Sequence, residues 1–174
     1  MKKIIIFLLF FNNFVWGHPH TFIDLHPTLY VKDKTIFKTH IKWKMDDMTS
    51  AMLIMEFDVN ADNQIDKEEN SFVYENYFHS LQKSNYYMNI LVEDKSIILP
   101  KISNFVASIE DNRICYSFDI IEDFDINKTK FVFYDKDFFV AFMLEKKFVK
   151  AENKKVIITE EDKDFYYMYR LELK

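Results

Sequence analysis

A chain almost without glycine has few ways to turn, and this restricts its fold more than any other feature. Gly17 is the single glycine among 174 residues, and there are three prolines. Glycine enters the left-handed backbone region without steric cost. Asn and Asp tolerate that region best among the rest, because their short polar side chains bond to nearby backbone. Turns in this chain must therefore be built on Asn, Asp, Lys or Pro. A glycine-rich phosphate cradle is excluded, since close approach of backbone to phosphate needs positions without a Cβ.

The N terminus reads Met1-Lys2-Lys3, then an unbroken apolar run over residues 4–11, then a less apolar stretch closing at Gly17. That order is a secretory signal peptide over residues 1–17, and its apolar run is too short to span a membrane. Cleavage after Gly17 makes His18 the first mature residue; an uncleaved N-terminal anchor is the alternative. Residues 18–174 then suffice for one domain and not for two. Losing residues 1–17 removes two lysines and no acid, which takes the formal charge from −5 to −7. An acidic secreted domain suits cations and excludes nucleic acid as a partner. Cys115 is the one cysteine, so no internal disulfide holds the fold. Stability falls to a core supplied by 19 Phe, 10 Tyr and 2 Trp.

Residues 21–45 alternate as a β-hairpin. A three-residue turn at Asp33-Lys34-Thr35 sets Ile23, Leu25, Leu29 and Val31 opposite Met45, Trp43, Thr39 and Phe37. Nearly all the apolar side chains then share one face, whereas a two-residue turn mixes the faces. Asp46 or Asp47 is an N-cap for a short helix over 48–57, with Ile54 and Phe57 toward the core. A second helix covers 66–83. Beyond Ser84-Asn85 the period returns to two, with strands at 87–93, 97–99, 103–110, 114–121, 130–134, 138–144, 155–158 and 165–173, and a hairpin turn at Asp111-Asn112-Arg113. The expected fold class is α+β: a mainly antiparallel β-sheet or sandwich domain carrying an EF-hand-like helix–loop–helix insertion at 46–83.

The loop inside that insertion carries the most specific chemistry. Residues 58–69 match a twelve-position calcium loop, with Asp58, Asn60, Asp62, Asp66 and Glu69 at positions 1, 3, 5, 9 and 12. Gln64 stands at position 7, where a backbone carbonyl serves, and Ile65 is the aliphatic at position 8. A hard cation such as Ca2+ takes six to eight oxygens in a flexible shell, and this spacing offers them around one turn. Two positions depart from the pattern: Asn63 replaces the glycine at position 6, and Asn70 follows where an apolar residue is usual. No second loop pairs with this one, so weak affinity is expected, on the order of 10⁻⁴–10⁻³ M. A polar turn with solvated carboxylates is the alternative reading.

A second ligand set is His18 and His20. The α-amine and imidazole of a mature His18, with His20 two residues on, offer nitrogen donors suited to Ni2+, Cu2+ or Zn2+ rather than to calcium. A flexible solvated terminus is the alternative. His26 and His40 lie diagonally on the polar face of the hairpin, but Lys38 and Lys42 beside them argue for ordinary surface histidines. His79 reads as structural. Asp135 before the aromatic strand is by default a turn cap, and Cys115 reads as core rather than nucleophile. No Ser/His/Asp order and no Cys/His cluster points to an enzyme.

Taken in order, several features carry a family resemblance. They are the leader, His18-Pro19-His20-Thr21-Phe22-Ile23-Asp24, Trp43-Lys44-Met45-Asp46-Asp47, a helix ending in the 58–69 loop, Tyr86-Tyr87 opening a strand, and Tyr134-Asp135 before an aromatic strand. Together they resemble the periplasmic domain-of-unknown-function family numbered one thousand and seven, whose members are often labelled uncharacterised periplasmic components of ABC-type transport systems. The resemblance spans nearly all of the mature chain. It implies a bacterial envelope protein, frequently encoded near nickel/cobalt-type or zinc-related permeases, and brings no established enzymatic activity. The chain departs from the family at Asn63 and at Met45, where the family tends to have Phe. The function expected is a periplasmic divalent-metal-binding accessory protein, with calcium in the loop and a transition metal at His18 and His20, beside an inner-membrane metal transporter. The alternative is a structural or protein-interaction module of the cell envelope whose calcium loop only stabilises the fold.

Overall fold

The computed structural model describes residues 21–163 and 166–174. The leader 1–17, the candidate ligands His18 and His20, and Phe165 at the start of the last expected strand lie outside the described residues. The described residues begin with the hairpin β1 (Thr21–Lys32) and β2 (Thr35–Met45). Its register runs as expected from Ile23 opposite Met45 to Tyr30 opposite Lys38. The turn differs. It holds two residues, Asp33 and Lys34, and the pairing shifts between Tyr30 and Val31, so that Val31 faces Ile36 and not Phe37. A bulge absorbs the odd residue that the three-residue turn would have held. Ile36 is thereby turned inward at 1% exposure, and Phe37 is turned out at 43%.

Two helices follow: α1 (Asp47–Phe57) and α2 (Lys67–Val73). Asp46 caps α1, accepting from Thr49 N at 2.9 Å. The helix expected through residue 83 is shorter. After Val73 the backbone widens into a π turn over Tyr74–Phe78, then tightens into a 3-10 segment over His79–Tyr87 that is broken at Ser84, Asn85 and Tyr86. Val73 and Phe78, both wholly buried, are five residues apart, and the wide turn brings both to the sheet. Phe78 stacks there on Phe105 at 4.2 Å and on Tyr86 at 5.0 Å.

The remaining strands are β3 (Met88–Val92), β4 (Lys95–Ser96), β5 (Ile102–Glu110), β6 (Arg113–Ile120), β7 (Phe124–Asp125), β8 (Thr129–Phe133), β9 (Val140–Met143), β10 (Lys150–Ala151), β11 (Val156–Asp162) and β12 (Tyr167–Leu173). Residues 97–99, expected as a strand, are not one, because the chain reverses earlier at Glu93-Asp94 and β4 closes that hairpin. Among the described residues one sheet runs β10-β1-β2-β6-β5, with β9 also on β1 and β7 on β2; the other runs β11-β12-β8-β3-β4. The pairing is mainly antiparallel. The exception is the outer edge of β1, where β9 and β10 both add parallel.

One core joins the sheets and the helical segment. Trp43, 2% exposed, is its centre, with rings of Phe78, Tyr87, Tyr116, Phe118 and Phe142 within 6.5 Å. Phe124 meets Phe131 edge-on at 5.9 Å between the two sheets. Burial at roughly 25 cal/mol per Å² of apolar area makes such wide rings the main favourable term. No helix among the described residues is long and apolar enough to cross a membrane.

Candidate functional site

The loop between α1 and α2 is closed by its own carboxylates. Asp58, at the C-cap of α1, accepts from Asp62 N at 3.0 Å and from Asn63 N at 2.8 Å. Asn60 Oδ1 accepts from Asp62 N, and Asp62 Oδ1 accepts from Gln64 N, each at 2.9 Å. At the far end Asp66 caps α2, accepting from Glu68 N and Glu69 N, while Glu69 Oε2 accepts from Asp66 N in the reciprocal bond of a capping box. Glu69 Oε1 accepts from Val59 N at 2.9 Å, which ties the last loop position to the second. The chain reversal uses positive φ at Ala61 (57°) and Asn63 (61°), so Asn63 does take the left-handed turn at position 6.

Asp58 and Glu69 are buried, at 9% and 7% exposure, whereas Asn60, Asp62, Gln64 and Asp66 are exposed. Among the described residues no ion pair forms to Asp58, Asp62, Asp66 or Glu69. The donors are of the hard-oxygen kind that Ca2+ takes. They are not gathered into a cage: among the described residues no group of three or more His, Cys, Asp or Glu side chains converges as an ion would require. Asp62 and Asp66 are turned onto backbone N–H groups instead. Asn70, where an apolar residue was expected, has a structural task. Its side-chain oxygen accepts from Ala107 N at 2.7 Å and pins α2 to β5 beside the bulge that follows Ser103.

The other sequence candidates separate. His40 Nδ1 donates to Asp119 Oδ1 at 2.7 Å, and Lys38 and Asn104 reach the same carboxylate. Burial raises the Asp119 pKa, but the hydrogen bonds from Asn104, His40 and Lys38 outweigh it, so the carboxyl is held below its ordinary value. His26 packs its ring on Phe148 at 4.2 Å, and burial lowers its pKa. Each histidine thus has its own local partner. Burial pushes the Cys115 thiol up to about 11, which leaves it without thiolate character near neutral pH.

Sequence reasoning did not find a cleft of about 180 Å³ at the end of the 3-10 segment, lined by Lys83, Asn85, Tyr87, Asn89, Tyr134 and Asp137 among others. Three successive residues there, Asn85, Tyr86 and Tyr87, have φ near +50°. Such strain is unusual for aromatic side chains and gathers where the surrounding packing dictates it. On the other wall Asp135, 4% exposed, accepts from the backbone N–H of Asp137, Phe139 and Val140, each at 3.0 Å. That is the turn cap expected at this position. Burial, with Asp135 and Asp137 adding to it, raises the Tyr87 pKa.

Comparison with known proteins gives a family rather than an activity. A protein described as "Uncharacterized 15.5 kDa protein in trpE 3'region" from Spirochaeta aurantia is 28% identical over 97 residues, 54% of this chain and 69% of the other. An "Uncharacterized protein" from Haemophilus influenzae is 24% identical over 151 residues, 81% of this chain and 70% of the other. The model of the family described as "Protein of unknown function (DUF1007)" matches residues 3–164, nearly the full length, and the chain belongs to that family.

Proposed function

We propose that this protein is a cell-envelope domain that takes a divalent cation, calcium by preference, into loop 58–69 and uses it to tie α1 to α2. The observation that carries the reading is the pair Asp58 and Glu69. These two carboxylates stand at the first and last loop positions, are largely withdrawn from water, and form no ion pair among the described residues. Burying carboxylates without a positive partner is costly. A bound ion would supply that charge, held by the side chains of Asp58, Asn60, Asp62, Asp66 and Glu69 with the carbonyl of Gln64. Each carboxylate oxygen that accepts one backbone N–H keeps a second lone pair for this purpose. In this EF-hand-like reading the exposed Asp62 and Asp66 turn from the backbone to the ion. The protein's part is binding, not catalysis.

The envelope location, in the periplasm, rests on the leader sequence; intact-mass measurement of the exported protein is its check, with His18 expected as the first residue. Thermal melts in calcium and in EDTA test the loop. Stabilisation by calcium that Glu69→Gln removes is expected, and superimposable melts would overturn the reading. Titration with Ni2+, Cu2+ and Zn2+ separates two forms of the proposal. Binding of one of these through His18 and His20 marks an accessory protein for metal traffic at a transporter. A response to calcium alone marks a structural or protein-interaction module.

A further inference from the structure

Helix α1 is apolar on both sides: Leu53, Ile54 and Phe57 pack on the core, and a second apolar stripe faces outward. Met48, Met52 and Met55 follow at spacings of four and three, so they share one face, and they are 69%, 59% and 86% exposed. Exposed Ala51 lies on the same side. The inward face also buries a serine and a threonine beside those apolar residues, and their hydroxyls are satisfied: Thr49 donates to Asp46, while Ser50 donates to Met45 O and accepts from Ile114 N. Beyond the end of α1, Val59 is 81% and Phe72 43% exposed. A groove of about 380 Å³ opens there, lined by Phe57, Val59 and Phe72 with Asn60, Asp66, Glu68 and Glu69; it belongs to the calcium-loop site and not to the methionine face.

Charge specifies what fits this surface. Between residues 46 and 76 the chain carries nine acids and one base, Lys67. Exposed Glu56, Asp62, Asp66, Glu68 and Glu75 belong to that set. A second copy of the chain would bring two such acidic faces together, and an anionic lipid surface would meet the same repulsion. A helix with an apolar stripe and flanking Lys or Arg meets complementary potential, and unbranched methionines adapt to its side chains. We propose that the methionine face of α1 docks a basic amphipathic helical segment of another protein. The docking does not rest on the cation reading, because Met48, Met52 and Met55 lie outside loop 58–69.

The test uses the naturally processed protein and a fluorescent peptide of roughly eighteen residues, with leucines at helical spacing and lysines elsewhere. Anisotropy should report saturable binding. Affinity should fall at least about tenfold for Met52→Gln/Met55→Gln, for a peptide with the same composition in scrambled order, and for one with glutamate in place of lysine. Both methionines are exposed, so the double variant keeps its fold, which circular dichroism checks. Equal binding by the double variant or by the scrambled peptide would overturn the proposal. So would methionine-dependent dimerisation in sedimentation, or methionine-dependent binding to phosphatidylglycerol vesicles without peptide binding. Titrations in EDTA and in calcium keep the two proposals apart: peptide binding without a calcium response removes the cation and leaves the docking face, and the converse does the reverse.

Discussion

Thirteen described residues sit at positive φ, and eight of them are Asn or Asp. Glycine's usual work in this chain is done by side chains that tolerate the left-handed region and bond locally. At Asp111-Asn112 both turn residues take it, with φ of 53° and 59°, which closes the β5–β6 hairpin without glycine. A β-branched residue has no such tolerance. Asn63→Val, and likewise Asn112→Val, should lower stability by about 1–2 kcal/mol, while Asn→Gly at either site should stay within about 0.5 kcal/mol, read from urea midpoints. Asp119 gives a second residue-level expectation. Its folded pKa lies below the unfolded one, so its contribution is present above the unfolded value, near pH 4, and is lost as pH falls through the folded value. Asp46, where bonds from Thr49 and Phe22 likewise outweigh burial, acts in the same direction. Urea midpoints measured from about pH 6 to pH 2 should therefore fall, and Asp119→Asn should flatten that fall. The Asn and Asp turns were legible in the sequence because only the residue's own backbone preference decides them. Tyr86, Tyr87 and Phe138 at positive φ were not, since their strain is imposed by packing from elsewhere.

The helical segment is held to the sheet by polar pins as well as by rings. Ser50 Oγ accepts from Ile114 N at 3.0 Å in the buried contact between α1 and β6, and Asn70 accepts from Ala107 N in the contact between α2 and β5. Removing either acceptor strands a backbone N–H. Ser50→Ala and Asn70→Leu should each cost about 1–3 kcal/mol in chemical denaturation, and Asn70→Leu should do so even though Leu is the residue a calcium-loop pattern favours there. The start of each helix was legible from Asp46 and Asp66, whose caps are strictly local. The end of the second was not. Residues 66–83 have an apolar pattern that an unbroken helix also explains, and the wide turn at Tyr74–Phe78 lets Val73 and Phe78, five residues apart, both reach the core, where Phe78 stacks on Phe105.

In the molecule as a whole, the hairpin register from Ile23 to Tyr30 was readable because burying one face admits a single alternation. The parallel partners of β1 were not readable. β9 and β10 arrive from more than a hundred residues away, and periodicity reports neither partner nor direction. Both sheets converge on the core around Trp43, so Trp43→Ala should cost about 3–5 kcal/mol and should loosen the helical segment together with the strands. The candidate loop was legible as a spacing of ligands, and its buried ends at Asp58 and Glu69 became visible only in the fold. If an ion binds there, calcium at ten to a hundred times its Kd should stabilise the protein by about 1.4–2.7 kcal/mol. The most direct test is isothermal titration calorimetry of calcium into the processed protein. One site with a Kd on the order of 10⁻⁴–10⁻³ M is expected, whose heat disappears in Asp58→Asn and in Glu69→Gln while both variants remain folded. No heat from the unaltered protein, or heat that survives both substitutions, would contradict the cation reading.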